Sequence, residues 1–181
     1  MRNQASFRIL ALVALAALFE LHCSHPNRAS LRLKARPGSP PGDSTPLAGV
    51  TLHLLDIDPI DLVVTGVEDH TPHGERVYQD HPRLKELANL MNARRQAAYS
   101  LGPDVFLFLS QSRPLWEPRV IKSAQTDAEG NARLDGIKPG SYRLIGYIEA
   151  PGREAFWDRQ VAVDEGDNEV VLESSNALHF K

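Results

Sequence analysis

The chain of 181 residues has one cysteine, Cys23, so it can close no internal disulfide and offers no cysteine cluster for zinc. It has no basic excess either. Lys and Arg number 20 against 23 Asp and Glu, a net charge of -3, which gives a nucleic-acid partner no electrostatic support. No glycine-rich phosphate loop, serine nucleophile elbow or His-Glu-x-x-His pair is present. Proline and glycine are not in excess, at 13 and 12 residues, so the chain is neither collagen-like nor low in complexity. What remains is a globular composition, 42% hydrophobic and 24% charged, at the length of one domain.

Only one long apolar run exists. Ile9 to Phe19 (ILALVALAALF) follows Arg2 and Arg8. About 20 apolar residues are needed to cross a bilayer, so this run reads as the core of a secretory signal. Cys23 stands just after it, where a bacterial lipoprotein cysteine would stand, although His22 occupies the place of the usual small residue. Asn27-Arg28-Ala29 is a weak version of an ordinary cleavage site. Two readings follow: Cys23 is lipidated and tethers the protein, or it is a thiol, free or lost with the leader. The expected organisation is a signal peptide at 1–22, a short tether at 23–29, and one domain at 30–177. Such a protein is exported, to the periplasm or the outer face of the cell envelope. Loss of the leader removes two arginines and one glutamate, leaving the chain one charge more acidic.

Ser30-Leu31-Arg32-Leu33-Lys34-Ala35 alternates like a half-buried strand. Residues 36–46 carry four prolines and two glycines and read as a loop. Val50 to Asp56 alternates again, with Val50, Leu52 and Leu54 on one face. Ile60 to Val64 suggests a short strand, and Thr65 to Asp80 a polar loop. Asp80 then reads as a helix cap with Pro82 in the first turn. Leu84, Leu87, Ala88 and Met91 recur at helical spacing, and Gly102-Pro103 ends that helix. Val105 to Leu109 fits either a strand or a second helix, with a lean to helix. Strands follow at 119–126, 132–134, 142–148, 156–163 and 168–172, with turns at Asp127-Ala128-Glu129-Gly130-Asn131, Gly136 to Gly140 and Glu165-Gly166-Asp167. Short strands at this spacing predict a mainly β fold, a β-sandwich, with a helical insertion at about 57–115 between early strands.

Thr126-Asp127-Ala128-Glu129-Gly130 followed by Pro139-Gly140-Ser141-Tyr142 resembles the carboxypeptidase-regulatory-like family. Pro46 to Leu52 and the ending Asn168-Glu169-Val170-Val171-Leu172 are similar to that family as well. The resemblance implies a transthyretin-like (prealbumin-like) sandwich of about seven strands on an exported bacterial protein. Its motif residues are structural: Gly130 and Gly140 allow reversals, and Tyr142 buries a ring while its hydroxyl reaches backbone. Related adhesin repeats join a lysine to an asparagine with help from an acid, and here Gly146 holds the acid's position, which argues against a Lys34–Asn176 link. No histidine has a glutamate three residues on, so no carboxypeptidase zinc pair is implied. The resemblance therefore implies no enzyme and no cofactor.

Two places could still bind something. His70, His73 and Glu75, with Glu68, Asp69, Asp80 and His81 nearby, have the donor types of a divalent metal site, but Pro72 speaks against a shared helical face, and a solvated polar loop is the favoured reading. Trp116, flanked by Pro114 and Pro118, is a candidate ring for stacking on a sugar, unless it is core. The expectation is a non-catalytic structural or interaction module of the envelope, its partner an envelope protein or a glycan. Carbohydrate or metal binding is the alternative.

Overall fold

The computed structural model describes residues 28–37, 46–67 and 70–181. The leader, Cys23, Glu68 and Asp69 lie outside the described residues. Among those described, the fold is mainly β, with two sheets and four helices. No described helix is long and apolar enough to cross a membrane.

The first sheet has three strands. β1 (Ala29–Ala35) lies between β4 (Asn131–Ile137), antiparallel, and β7 (Gly166–Leu172), parallel. Its alternation works as read: Leu31, Leu33 and Ala35 are buried, while Arg32 and Lys34 face solvent. The second sheet has the order β3-β2-β5-β6-β8, from Val120–Gln125, Thr51–Leu55, Gly140–Ala150, Arg153–Val163 and His179–Phe180. β8 extends the domain past residue 177. It pairs with β6 through Ala155 and Phe156, so the fold uses the chain almost to its end.

The second sheet is covered on both faces. Leu52, Leu54, Leu144 and Trp157 point at the first sheet and pack with Leu31, Leu33 and Leu134. Leu55, Ile145 and Phe156 point the other way, at the helices. Tyr142 to Ile148 is apolar at both parities apart from Arg143 and Gly146, as a central strand sealed on two sides must be. Gly146 makes the interior fit: a Cβ there would lie 3.0 Å from Leu52 and 3.2 Å from Leu172. The position lacks an acid because it has no room for a side chain.

All four helices lie between β2 and β3: α1 (Pro59–Thr65), α2 (Pro72–Asp80), α3 (Leu84–Gln96) and α4 (Asp104–Trp116). Three expectations need correction. Ile60 to Val64 is helix, not strand, because Asp58 caps it, accepting from the Ile60 amide at 2.9 Å, and Pro59 takes the first position. The segment read as a loop to Asp80 contains α2, because Thr71 accepts from the Gly74 amide at 2.9 Å and Pro72 starts the helix. Asp80 ends α2 rather than capping the next helix, which is shorter than read. The ambiguous stretch after Pro103 is helix, and it buries Val105, Phe106, Phe108 and Leu109.

The turn motifs do what their chemistry suggests. Asp127 accepts from the amides of Glu129 (3.0 Å) and Asn131 (2.8 Å). Thr126 donates to the Leu47 carbonyl at 2.6 Å and accepts from the Val50 amide at 2.9 Å. Gly130 stands at φ +75°, and its carbonyl takes the Ala35 amide at 2.8 Å. The Tyr142 hydroxyl donates to the Lys138 carbonyl at 2.7 Å, closing the corner before β5. The left-handed residue of that corner is Gly136 (φ +70°) rather than Gly140.

Candidate functional site

Beside the apolar contact between the helices and the second sheet lies a charged one. Arg143 of β5 and Asp158 of β6 stand on the helix side of the sheet. Arg143 Nη2 donates to Asp158 at 2.7 Å and to Asp58 at 2.8 Å, and Arg143 Nε also bonds Asp158. Arg95 of α3 reaches the same carboxylates, 2.6 Å from Asp58 and 3.1 Å from Asp158, and meets Asp61 at 2.7 Å. The Asp158 side chain is fully buried, and those of Asp58 and Arg95 are 11% and 19% exposed. Burial pushes the Asp158 carboxyl above its usual range, and Arg143 pulls it back. Burial also opposes the Arg95 charge, but Asp58 and Asp158 outweigh it and raise the guanidinium further. Three carboxylates and two guanidiniums thus bind one another, and helix α3 and the α1 cap are fastened to the sheet. A lone Arg or Asp gives no such signal in sequence, because the five partners are spread from residue 58 to residue 158. The one local signal, Asp58 as a helix cap before Pro59, went unread where a strand was expected.

A second cluster lies on the same face nearer the β3 edge. His53 and Ser123 are cross-strand partners, with Nδ1 2.7 Å from the serine Oγ. The far ring nitrogen faces the Tyr147 hydroxyl at 3.5 Å, and the ring lies 5.4 Å from that of Trp116. Burial, then the Arg113 charge, lowers the histidine pKa, so the ring is neutral near pH 7 and can accept from Ser123. A hydroxyl on a neutral imidazole is the first element of a nucleophilic pair. Here a phenol at long range, not a carboxylate, orients the base.

The residues singled out in sequence are not brought together. His70, His73 and Glu75 are exposed. His73 turns its Nε2 to the Pro114 carbonyl at 3.0 Å, pinning α2 to the end of α4. Among the described residues no group of three or more potential ligands is placed to hold a metal ion. Trp116 is 3% exposed, and its indole donates to the Leu109 carbonyl at 3.2 Å. Its ring is core, so it offers no face for a sugar. Trp157 is buried between the sheets and donates to the Glu173 carbonyl at 2.8 Å. Lys34 pairs with Glu169 at 3.1 Å, and the Asn176 side chain is held by the Glu173 amide and the Val171 carbonyl. The lysine and asparagine are each engaged elsewhere, in keeping with the absent acid.

A large open depression lies at one end of the first sheet. It measures about 1010 Å³ and spans the start of β1, the end of β4, the start of β7 and Lys122 of β3. Its lining is charged and has no aromatic ring.

Comparison with known proteins identifies no family. No family model matches the chain, so the carboxypeptidase-regulatory-like resemblance is not confirmed. No curated protein matches either. Among solved structures, the chain is similar to a minor pilin of Streptococcus agalactiae, at 17% identity and a TM-score of 0.41, over 81% of this chain and 44% of the pilin. It is similar to a candidate carbohydrate-binding protein of Pseudomonas aeruginosa, at 14% identity and 0.40, over 85% of this chain and 93% of that one. The pilus backbone protein of Streptococcus pneumoniae matches at 12% identity and 0.35, over 81% and 41%. The chain thus spans less than half the length of either pilin. Scores and identities of this size assign neither a family nor an activity.

Proposed function

We propose that this chain is an exported, non-catalytic module of the cell envelope that acts as a structural or interaction domain. We read it as a transthyretin-like sandwich of about seven principal strands, into which the helical block between β2 and β3 is inserted. The observation that carries this reading is the buried Arg95–Arg143–Asp58–Asp158 cluster. The chain's most buried charged groups are spent on fastening helices to a sheet, which is what a rigid module needs. The leader at 1–22 supports export, and Cys23 is the point of lipid attachment. The test is metabolic labelling with a radiolabelled fatty acid and fractionation of a bacterial host, followed by cross-linking of the intact envelope. Label on the native chain but not on Cys23→Ser, with a reproducible cross-linked envelope partner, supports the reading. Recovery in the cytoplasm with the leader uncleaved overturns it.

Carbohydrate binding is the second reading. It no longer has Trp116 as support. The open charged depression at the end of the first sheet favours it instead.

A further inference from the structure

We infer that this depression is a binding site for an acidic glycan, one bearing uronate carboxylates or phosphate diesters. The inference rests on the carbohydrate-binding reading and gives it a site and a ligand class. Four cations, Arg28, Lys122, Arg133 and Lys138, line it against two carboxylates, Asp135 and Asp167. Both carboxylates are already taken. Asp135 pairs with Arg133 at 2.7 Å, and Asp167 bonds Arg32 and the Ser30 hydroxyl. Among the described residues, Arg28, Lys122 and Lys138 have no carboxylate partner. In a chain of net charge -3, three uncompensated cations share one open basin. Their field favours an anion, and low-dielectric walls strengthen it.

The kind of anion follows from the rest of the lining. A neutral sugar would want an aromatic platform, and none lines the basin among the described residues. A membrane would want exposed apolar side chains to insert, and the basin is concave and has none. Nucleic acid binds through a long run of phosphates, and a basin with three free cations on a chain of net charge -3 answers few of them. An acidic glycan combines anionic groups with many hydroxyl donors. The cations take its anionic groups, and the Asp135 oxygen that Arg133 leaves open accepts from its hydroxyls.

The test is calorimetric titration of the protein with oligogalacturonate in low salt, beside neutral dextran, phosphatidylglycerol vesicles and a single-stranded DNA of matched charge. The charge-reversed variant Lys122→Glu/Lys138→Glu is titrated in parallel, with its thermal midpoint measured to confirm folding. The expected result is saturable oligogalacturonate binding that weakens at least tenfold in the variant and falls steeply with added salt. Equal binding of the DNA or the vesicles overturns the assignment to a glycan. Dextran binding that the variant leaves unchanged overturns the basin and spares the carbohydrate reading. No binding to either glycan overturns both.

Discussion

Gly130 shows how much one residue can decide. Its backbone is left-handed, and a Cβ would sit inside the van der Waals shell of the Ala35 carbonyl oxygen and 3.1 Å from Pro46. Gly130→Ala therefore meets both a disfavoured φ and a backbone clash. It is expected to cost about 1–3 kcal/mol or more, read as a lower urea midpoint at unchanged slope. Gly152, at φ +74° with nothing within 4 Å, is the control, and Gly152→Ala should cost less. His53 makes a different prediction. Its folded-state pKa lies below the ordinary 6.5, so the unfolded chain takes up the proton first as pH falls. The stability His53 contributes is complete above pH 6.5 and is lost as pH drops toward the folded value. Urea midpoints measured from pH 7.5 to 5 should fall less in His53→Gln than in the native chain. The glycine's role was readable from its place in a turn motif. The histidine's was not, because its burial depends on Trp116 and Tyr147, far away in sequence.

At the scale of elements, the buried charge cluster is the device to test. Removing Arg143 leaves Asp158 buried beside Asp58 with only Arg95 to offset them. Arg143→Met is expected to destabilise by about 3–5 kcal/mol, the usual cost of breaking a buried pair. The loss should be uneven. Hydrogen exchange should rise first in α1 and α3, which the cluster holds, and least in β1 and β4 of the far sheet. Uniform exchange would mean the cluster is not a local fastening. Strands β1 to β7 were legible from alternation where one face is open, as in β1, and from the turns on either side where both faces are sealed, as in β5. The helices α1 and α2 were not. Each is short, each begins with a proline that reads as a breaker, and only the capping oxygens of Asp58 and Thr71 reveal that the proline starts a helix.

For the whole molecule, the question is whether two cores behave as one. The sheet β3-β2-β5-β6-β8 is the shared wall: Leu54 and Trp157 face one core, Leu55 and Phe156 the other. Trp116 reports on the helix side and Trp157 on the sandwich side. Because neighbouring residues of one strand serve both cores, unfolding is expected to be a single transition. The single-tryptophan variants Trp116→Phe and Trp157→Phe should each show fluorescence and circular dichroism midpoints that coincide. A fluorescence midpoint below the circular dichroism midpoint in Trp157→Phe, which retains Trp116, would show that the helices leave before the sandwich melts.

What the sequence determined by itself is local in physical origin. Period-two alternation, the Thr126-Asp127 and Pro139-Gly140 turns and the Tyr142 corner each arise within a dozen residues. What only the tertiary structure decided is long-range. Burial of Trp116 took away a sugar platform, and His73 meets the Pro114 carbonyl, 41 residues away. The basin gathers charges from four strands' ends that no local pattern joins. Side-chain chemistry is written in the chain, but which charges are neutralised and which are left to face solvent depends on what folding sets beside them.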